Sequence, residues 1–514
     1  MKTIRKIVTY FAVLPLLVGM TSCLEKFPEL SISEDDAMRT YNDAEQHFRG
    51  VYASLLSSSL FSGVLTLLPD IQSDMVYAVE SSAGTYVNFW QWDILSNDTY
   101  VEAIYAALYS TIGNCNFYLD RINEVKAQET DDDKLENLDN YTGQIYAIRA
   151  LCYSKLLECF CKPYQTGNVD GQSSTLDEPG VVLRTKYFEK EPVRRASLKA
   201  SYDFVVEDLT RAEQLLEDFE DNDAPNNDYI SLAAVQALRA RVALYMQDWD
   251  TAITYSSKLI DDRKDIFQLA STSRTAADGA DEFSYMWAYD QGPEVIWRIG
   301  FTYTNYGGAL GSVFLGLNRD YQYFYPVFVP GQNVLDAYQA ADGRYSSYFA
   351  STSSGIVIGY ANGLEWPLLV KYYGNRSLIQ YNPTQFVQCS MPKPLRLAEQ
   401  YLIRAEAYCR KNEISRANQD LSALRAARGG TITLGSDWLQ TISDERLREL
   451  YMEGFRLHDL KRWHRGFERT PQTCSMSEGS SLKIAADNPL FVWPIPQHEI
   501  EAPGSEIVPN DSNR

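Results

Sequence analysis

Three short stretches of this chain repeat one another. Residues 148–150 read Ile-Arg-Ala, 238–240 read Leu-Arg-Ala, and 403–405 read Ile-Arg-Ala. After Ala240 the chain turns at Gln247-Asp248 and restarts with Trp249 and Ala252. After Ala405 it turns near Asn412-Glu413 and restarts with Ile414 and Ala417, so both alanine pairs are 12 residues apart. Small residues at fixed points on two antiparallel helices let the backbones approach closely, which is the logic of tetratricopeptide-type hairpins. The unit at 148–150 has no immediate second helix. Its expected partner, 197–218, follows an insertion of loop character.

Helical periodicity dominates both ends. Ala44, Phe48, Val51 and Leu55 mark one stripe in 41–57, and Tyr105, Tyr109, Ile112 and Asn116 mark another in 99–126. Further helices are predicted over about 135–160, 197–218, 230–246, 249–262, 394–411, 414–428 and 441–464. The middle differs. From about 265 to 390 the chain is rich in Gly, Ser, Tyr, Asn and Pro, and a similar stretch, about 60–98, interrupts the N-terminal helices. Long irregular segments in compact proteins are usually functional or disordered, and the aromatic content here argues against disorder. The expected fold is mainly α: a tetratricopeptide-like helical-repeat scaffold with loop-rich insertions carrying little β structure.

The first residues read as an export signal. Lys2, Arg5 and Lys6 precede an apolar run from Ile7 to Met20, then Thr21, Ser22 and Cys23. That run is shorter than the roughly 20 residues a membrane-spanning helix needs. A cysteine directly after the cleavage point is the bacterial lipobox arrangement, which makes Cys23 the lipid-carrying first residue of the mature chain. Acyl chains at about 0.8 kcal/mol per buried CH₂ make a lasting anchor. Removing residues 1–22 takes three positive charges and no negative ones, so the formal charge of −21 becomes −24. Such a surface repels phosphate backbones and anionic lipid, which argues against nucleic acid and leaves attachment to the lipid. The organisation expected is a signal at 1–22, a lipidated tether at 23–40, an N-terminal helical region at 41–264 with its insertion at 60–98, a loop-rich aromatic region at 265–393, C-terminal helices at 394–470 and an extended segment at 471–514.

Catalytic patterns are thin. His498-Glu499 has no second histidine one turn on, and Gly307, Gly308 and Gly311 make no phosphate loop. Glu445, Glu449 and Glu453 recur every four residues, but Arg446, Arg448 and Arg456 are interleaved with them, so they read as an ion-pair lattice. Asp131-Asp132-Asp133 and Asp221-Asn222-Asp223 lack the rest of a calcium loop and read as solvated turns. Seven cysteines after Cys23 show neither a disulfide framework nor zinc spacing and read as buried small hydrophobes. No enzyme chemistry, cofactor or metal is expected.

Binding has better support. Sugar rings offer a C–H face and a rim of hydroxyls; aromatic rings supply flat apolar area, and Asn, Gln, Arg and Tyr answer the hydroxyls. The first insertion carries Tyr86, Asn88, Trp90 and Trp92. The second carries Trp287, Tyr303, Asn305, Tyr306, Tyr321, Tyr323 and Tyr325. The competing reading is that the tryptophans pin these loops to the scaffold. Trp90/Trp92 and Tyr321/Tyr323/Tyr325 alternate as strand faces do. Trp249, Trp463 and Trp493 lie outside the insertions and are assigned to packing.

Several segments in order resemble one family. They are Arg396–Tyr408 (RLAEQYLIRAEAY), Leu421–Arg428 (LSALRAAR) and Glu445–Trp463 (ERLRELYMEGFRLHDLKRW), supported by Ser231–Ala240 (SLAAVQALRA), the Tyr105/Tyr109/Ile112/Asn116 face, Asp342 with Arg344, and Pro494-Ile-Pro496. Together they resemble the SusD/RagB outer-membrane nutrient-binding lipoproteins of the Bacteroidetes group, over the whole mature chain. Two departures stand out: Cys161-Lys-Pro163 replaces the usual glycine before proline, and Glu25 alone stands where surface-bound members commonly carry an acidic cluster. The resemblance implies a non-enzymatic, lipid-anchored protein of the outer membrane, displayed at the cell surface. It would capture oligosaccharide and deliver it to a SusC-like TonB-dependent transporter. A peptide-binding member, or a structural lipoprotein without ligand, remains the alternative.

Overall fold

Short acceptor side chains set where the long helices begin. The computed structural model describes residues 37–79, 84–167, 169–188, 192–316, 326–350, 366–469 and 482–514. Cys23 and its leader therefore lie outside the described residues, as do Tyr321, Tyr323 and Tyr325. The first amides of a helix have no acceptor within it. Thr40 and Asp43 answer them with a reciprocal capping box at α1 (Tyr41–Ser54). Asp98 does so at α3 (Thr99–Gln128), Asp131 at α4 (Asp132–Phe160) and Ser197 at α5 (Leu198–Leu216). Between α1 and α3 lies α2 (Val64–Ile71), an almost wholly buried apolar helix inside the stretch expected to be irregular. Its residues are covered on all sides, so no one-faced periodicity marked it.

Hairpin follows hairpin through the scaffold. The arginine of the first repeat, Arg149 on α4, holds Asp208 on α5 through Nε and Nη2 (2.7 Å each) and Asn116 on α3 through Nη1 (2.7 Å). The arginine of the third repeat does the same work: Arg404 on α8 (Leu397–Arg410) holds Asp420 on α9 (Ile414–Ala427) at 2.8 and 2.7 Å. In the middle unit, α6 (Leu232–Tyr245) and α7 (Trp249–Ser257), Arg239 instead donates to Val206 O and Thr210 Oγ1 on α5. Ala240, Ala252, Ala405 and Ala417 are all fully buried. The repeat thus marks both close packing and a helix-to-helix clamp.

The expected single helix over 441–464 is two helices, α10 (Trp438–Glu449) and α11 (Arg456–Arg462). Met452 and Gly454 take positive φ (59° and 84°) between them. The break is held from outside. Buried Asp70 of α2 accepts the Gly454 and Arg456 amides at 2.8 Å each. Tyr348 donates to Glu449 O, Lys371 to Tyr451 O and Tyr372 to Met452 O. Helical periodicity continues through 441–464 in the sequence; only these long-range partners make interruption favourable.

Strands are two or three residues long and join distant segments. β1 (Val76–Ala78) pairs antiparallel with β3 (Phe328–Pro330), stitching the first insertion to the second. β2 (Val295–Trp297) pairs with β4 (Leu395–Arg396) at the foot of α8. One hydrophobic core lies among the scaffold helices. A second gathers residues of both insertions around Leu447, Tyr451 and Met452. The two insertions are one packed unit.

Between these layers lies a buried ion network. Glu449 accepts from Arg344 (2.8 Å), Arg428 (2.8 and 3.0 Å) and Arg396 (3.1 Å). Arg344 also holds Asp342 and Glu445, while Arg396 also holds Glu294 and Glu453. These side chains are nearly or fully inaccessible. The lattice read from the sequence is therefore mostly long-range: of the interleaved arginines, only Arg448 pairs within its own helix, with Glu445. Arg446 reaches Asp459 and Arg456 reaches Asp74. Asp223, expected in a solvated turn, is buried on Arg263 at 2.7 Å.

Two predictions follow from these pairs. Arg344→Leu leaves Asp342, Glu445 and Glu449 short of a partner and should destabilise the fold by ~3–5 kcal/mol. Denaturant unfolding measures it, and a loss below about 1 kcal/mol would refute the network's structural role. The second concerns pH. Burial would raise the Glu406 carboxyl, but the Arg462 guanidinium, bound bidentately at 2.6 Å, more than offsets this and brings it down to about 2. Its folded pKa is depressed, so its stabilisation is present above the unfolded value near pH 4.5 and is lost as pH falls toward 2. Glu406 alone should account for about 3 kcal/mol over that window. A Glu406→Gln variant, followed by denaturation from pH 7 to 3, should show a flatter acid limb than the parent; equal slopes would contradict the assignment.

Candidate functional site

Aromatic rings exposed on one ledge must be separated from rings that hold the fold. Trp90 ends a short helical turn (Val87–Trp90), is fully buried and donates Nε1–H to Val76 O at 3.0 Å. Trp92 is buried too and donates to Gln72 O at 2.6 Å. The strand-like alternation of these tryptophans is corrected by this turn, which carries both rings inward. Asn88 is half-buried, and its Nδ2 donates to the capping carboxylate Asp98 at 2.6 Å. Tyr86 is half-buried and packs edge-on against Tyr100. In this structure the first insertion presents no open aromatic face from Trp90 or Trp92.

Trp287 is likewise inside. It lies on the short helix Glu282–Tyr289, with Lys371, Lys393 and Arg396 over its ring at 3.9, 4.6 and 5.3 Å. A ring quadrupole attracts such cations, most strongly where water is excluded. Trp287 packs against the ion network at 5% exposure and borders a small cavity of about 40 Å³.

Tyr303, Asn305 and Tyr306 differ. All three are exposed, Tyr303 by 46% and Tyr306 by 38%. Tyr303 stacks on Tyr381, which is 64% exposed, with centroids 3.9 Å apart and planes 25° apart. Buried Phe386 supports the pair from below, edge-on to Tyr306 at 5.0 Å. Exposed Gln380, Thr384 and Gln385 flank Tyr381. The result is a ledge of phenol rings bordered by amides and hydroxyls.

The ledge is held firmly. Thr302 closes a turn by donating N–H to Asn305 O (2.7 Å), and Asn305 N–H donates to Thr302 Oγ1 (3.0 Å). Gly307 and Gly308 then pass against the 58–62 turn, where Gly308 N–H donates to Ser62 Oγ at 3.0 Å. A Cβ on Gly307 would stand 2.5 Å from Ser62, so only glycine permits this approach. Tyr381 sits at the junction of two short helices, Arg376–Tyr381 and Pro383–Phe386, capped by Asn375 and Asn382. Asn375 in turn donates to buried Asp290 (2.9 Å), which also receives Lys393 (2.6 Å) and the Met391 amide (3.0 Å). Rings fixed in this way lose little freedom on binding.

Tyr381 and its flanking amides were missed in the sequence reading, although a tyrosine beside asparagine in the same insertion was the available signal. Its contact with Tyr303 spans 78 residues and leaves no local trace. Among the described residues, acid–base or metal chemistry has no comparable setting. The network carboxylates are occupied by guanidinium groups, and the described residues hold no group of three His, Cys, Asp or Glu placed for a metal ion. The six described cysteines are free and buried, and burial raises the thiol pKa of each. Among the described residues no helix is long and apolar enough to cross a membrane.

Comparison with known proteins gives one consistent answer. Residues 372–510 match the model described as the SusD family, and residues 30–244 match one described as starch-binding associating with outer membrane. Between them these two models span well over half of the chain. SusD-like protein P38 of Formosa agariphila is 25% identical over 346 residues, 63% of this chain and 58% of that relative. The match thus covers less than two thirds of that relative's length. A SusD superfamily protein from Bacteroides thetaiotaomicron superposes with a TM-score of 0.76 at 22% identity, over 92% of this chain and 99% of that one. A laminarin-binding SusD-like protein superposes at 0.66 and 20% identity, over 92% of this chain and all of the other. The helical scaffold with its packed insertions is the fold these structures share.

Proposed function

This chain belongs to the SusD/RagB family, and from that premise we propose that it is a cell-surface lipoprotein that captures oligosaccharide on the Tyr303–Tyr381 ledge and delivers it to a SusC-like TonB-dependent outer-membrane transporter. The family is one of carbohydrate-binding, non-enzymatic proteins that associate with the outer membrane. The observation that carries the reading for this chain is the ledge itself. Its rings offer flat apolar area to the C–H faces of successive sugars, and Asn305, Gln380 and Gln385 stand ready for their hydroxyls. An open ledge, unlike an enclosed pocket, lets a chain longer than the site lie across it. Large exposed apolar rings on an otherwise acidic surface also call for a partner.

Cys23 would supply the anchor, because a body with a mature charge of −24 has no attraction of its own to anionic lipid. The mature chain without its lipid-carrying Cys23, residues 24–514, should bind oligosaccharides in a calorimetric panel of malto- and laminari-oligosaccharides, other plant and microbial glycans, and peptides. Tyr303→Ala and Tyr381→Ala should each weaken the bound glycan about tenfold. Trp90→Ala should lower stability while the folded fraction keeps its affinity. Silence toward every glycan, with peptides bound, would overturn the reading. For the address, external protease should shave the protein from intact cells, and Cys23→Ala should release it from the membrane fraction. Full protection of the parent protein would move the working site to the periplasmic face.

A further inference from the structure

A second cleft lies on the helical scaffold, outside both insertions. It opens where α1, the middle of α4 and the 219–232 connection meet, and its volume is about 370 Å³. That is within the range of small-ligand sites, at the size of one or two sugar rings rather than of a long chain.

Its wall is aromatic. Phe48 is buried, with Tyr141 stacked on it at 4.3 Å and 20°, and Tyr229 nearly parallel at 5.7 Å and 17°. Tyr229 is 45% exposed, and Tyr52 meets it edge-on at 4.8 Å. The ring most open to solvent is therefore braced from two directions, as a stacking platform has to be.

Its polar groups are set by a one-way relay. The Ile230 backbone N–H can only donate, and it donates to Tyr52 Oη at 2.8 Å. The Tyr52 hydroxyl donates to Gln144 Oε1 (2.5 Å), and Gln144 Nε2 donates to Asn140 Oδ1 (2.6 Å). The Asn140 oxygen is thereby engaged, and its amino group is the end of the relay at the cleft.

Ser231 supplies an independent sign. It stands at the N-cap of α6, where a serine hydroxyl ordinarily accepts a helix amide, but it makes no such bond. Asp223 has taken that role, accepting the Ala233 amide at 2.8 Å. Ser231 lines the cleft at 5% relative exposure, and its hydroxyl, closed to solvent, has no hydrogen-bond partner among the described residues. A buried hydroxyl without a partner is destabilising, and a ligand hydroxyl would supply the missing bond.

We infer that this cleft is a second sugar-binding site, in which one pyranose unit rests its C–H face on Tyr229 and hydrogen-bonds Ser231 Oγ and Asn140 Nδ2. It is tied to the ledge by the chain: Asp228 at its rim pairs with Arg298 at 2.7 Å, and Arg298 is five residues from Tyr303. Five extended residues span at most about 17 Å, so the two sites belong to one neighbourhood. Two weak sites so placed would hold a branched or long glycan more tightly than either alone. The choice of sugar as ligand class rests on the glycan reading above, whereas the place of the site does not.

The test uses the mature chain and short probes: methyl α- and β-glucosides, maltose and laminaribiose, followed by saturation-transfer NMR and titration. Three variants are compared: Tyr303→Ala/Tyr381→Ala, which removes the ledge; Tyr229→Ala; and Ser231→Ala, which touches no cap bond. The ledge variant should still bind a short sugar at one site, and adding Tyr229→Ala should weaken that residual binding about tenfold. Ser231→Ala should weaken it too, with stability kept or raised, because an unpartnered buried hydroxyl is removed. Residual binding untouched by Tyr229→Ala and Ser231→Ala, or none left in the ledge variant, would overturn the second site while leaving the ledge intact. Binding lost only through Tyr229 would support the cleft and refute the ledge. If no sugar binds the parent chain, both fall.

Discussion

Glu449 accepts hydrogen bonds from three guanidinium groups, and these come from three separated parts of the chain. Arg344 belongs to the second insertion, Arg396 to the strand that leads into α8, and Arg428 to the end of α9. The same arginines gather Asp342, Glu294, Glu445 and Glu453. Desolvating so many charges is expensive, and an apolar set of the same shape could be as stable. What apolar packing would lack is direction. Each planar fork donates to carboxylates only in its own plane, so the network fixes how the insertion unit sits on the scaffold and disfavours slipped arrangements.

The break between α10 and α11 depends on that geometry. At Glu449 the helix stops; Arg396 and Tyr348 donate to its last carbonyl, and Lys371 and Tyr372 donate to those of Tyr451 and Met452 just beyond. Lys371 and Arg396 then lie over Trp287, and Lys393 beside them holds Asp290. Asp290 fixes Asn375, which caps the short helix that ends at Tyr381. A continuous series of contacts thus runs from a fully buried carboxylate to the exposed ledge. The residues that present the rings are rigid because the residues beneath them cannot move independently.

The burial of Trp90, Trp92 and Trp287 follows from the same economy of contacts. An insertion without long helices has little apolar area per residue, and tryptophan supplies the most in a single side chain. Buried tryptophan also needs a partner for its N–H. Trp90 and Trp92 find theirs in backbone carbonyls, whereas the Trp287 N–H has none among the described residues and cations bind its ring face. Tyrosine tolerates an exposed position better, since its hydroxyl can remain in water while the ring packs. That is why Tyr303, Tyr306 and Tyr381 are at the ledge while the tryptophans of the same segments are inside.

The sequence by itself determined the helical scaffold. The repeated Arg-Ala units, the alanine spacing and the Tyr105/Tyr109/Ile112/Asn116 face are local patterns, and local patterns dictate which helix faces approach. Asn116 and Tyr109 do bind across to the 182–184 segment, and Arg149 and Arg404 do clamp their neighbours. Loops rich in aromatics also announced that the two insertions matter. Which rings face outward was decided only in three dimensions. Solvent exposure of Tyr303 depends on Tyr381, 78 residues away, and burial of Trp90 depends on a strand that pairs with Phe328–Pro330. The interruption at Met452–Gly454 likewise rests on Asp70, nearly four hundred residues distant. Periodicity reports what a segment can bury; it carries no information on which distant partner will arrive to cover it.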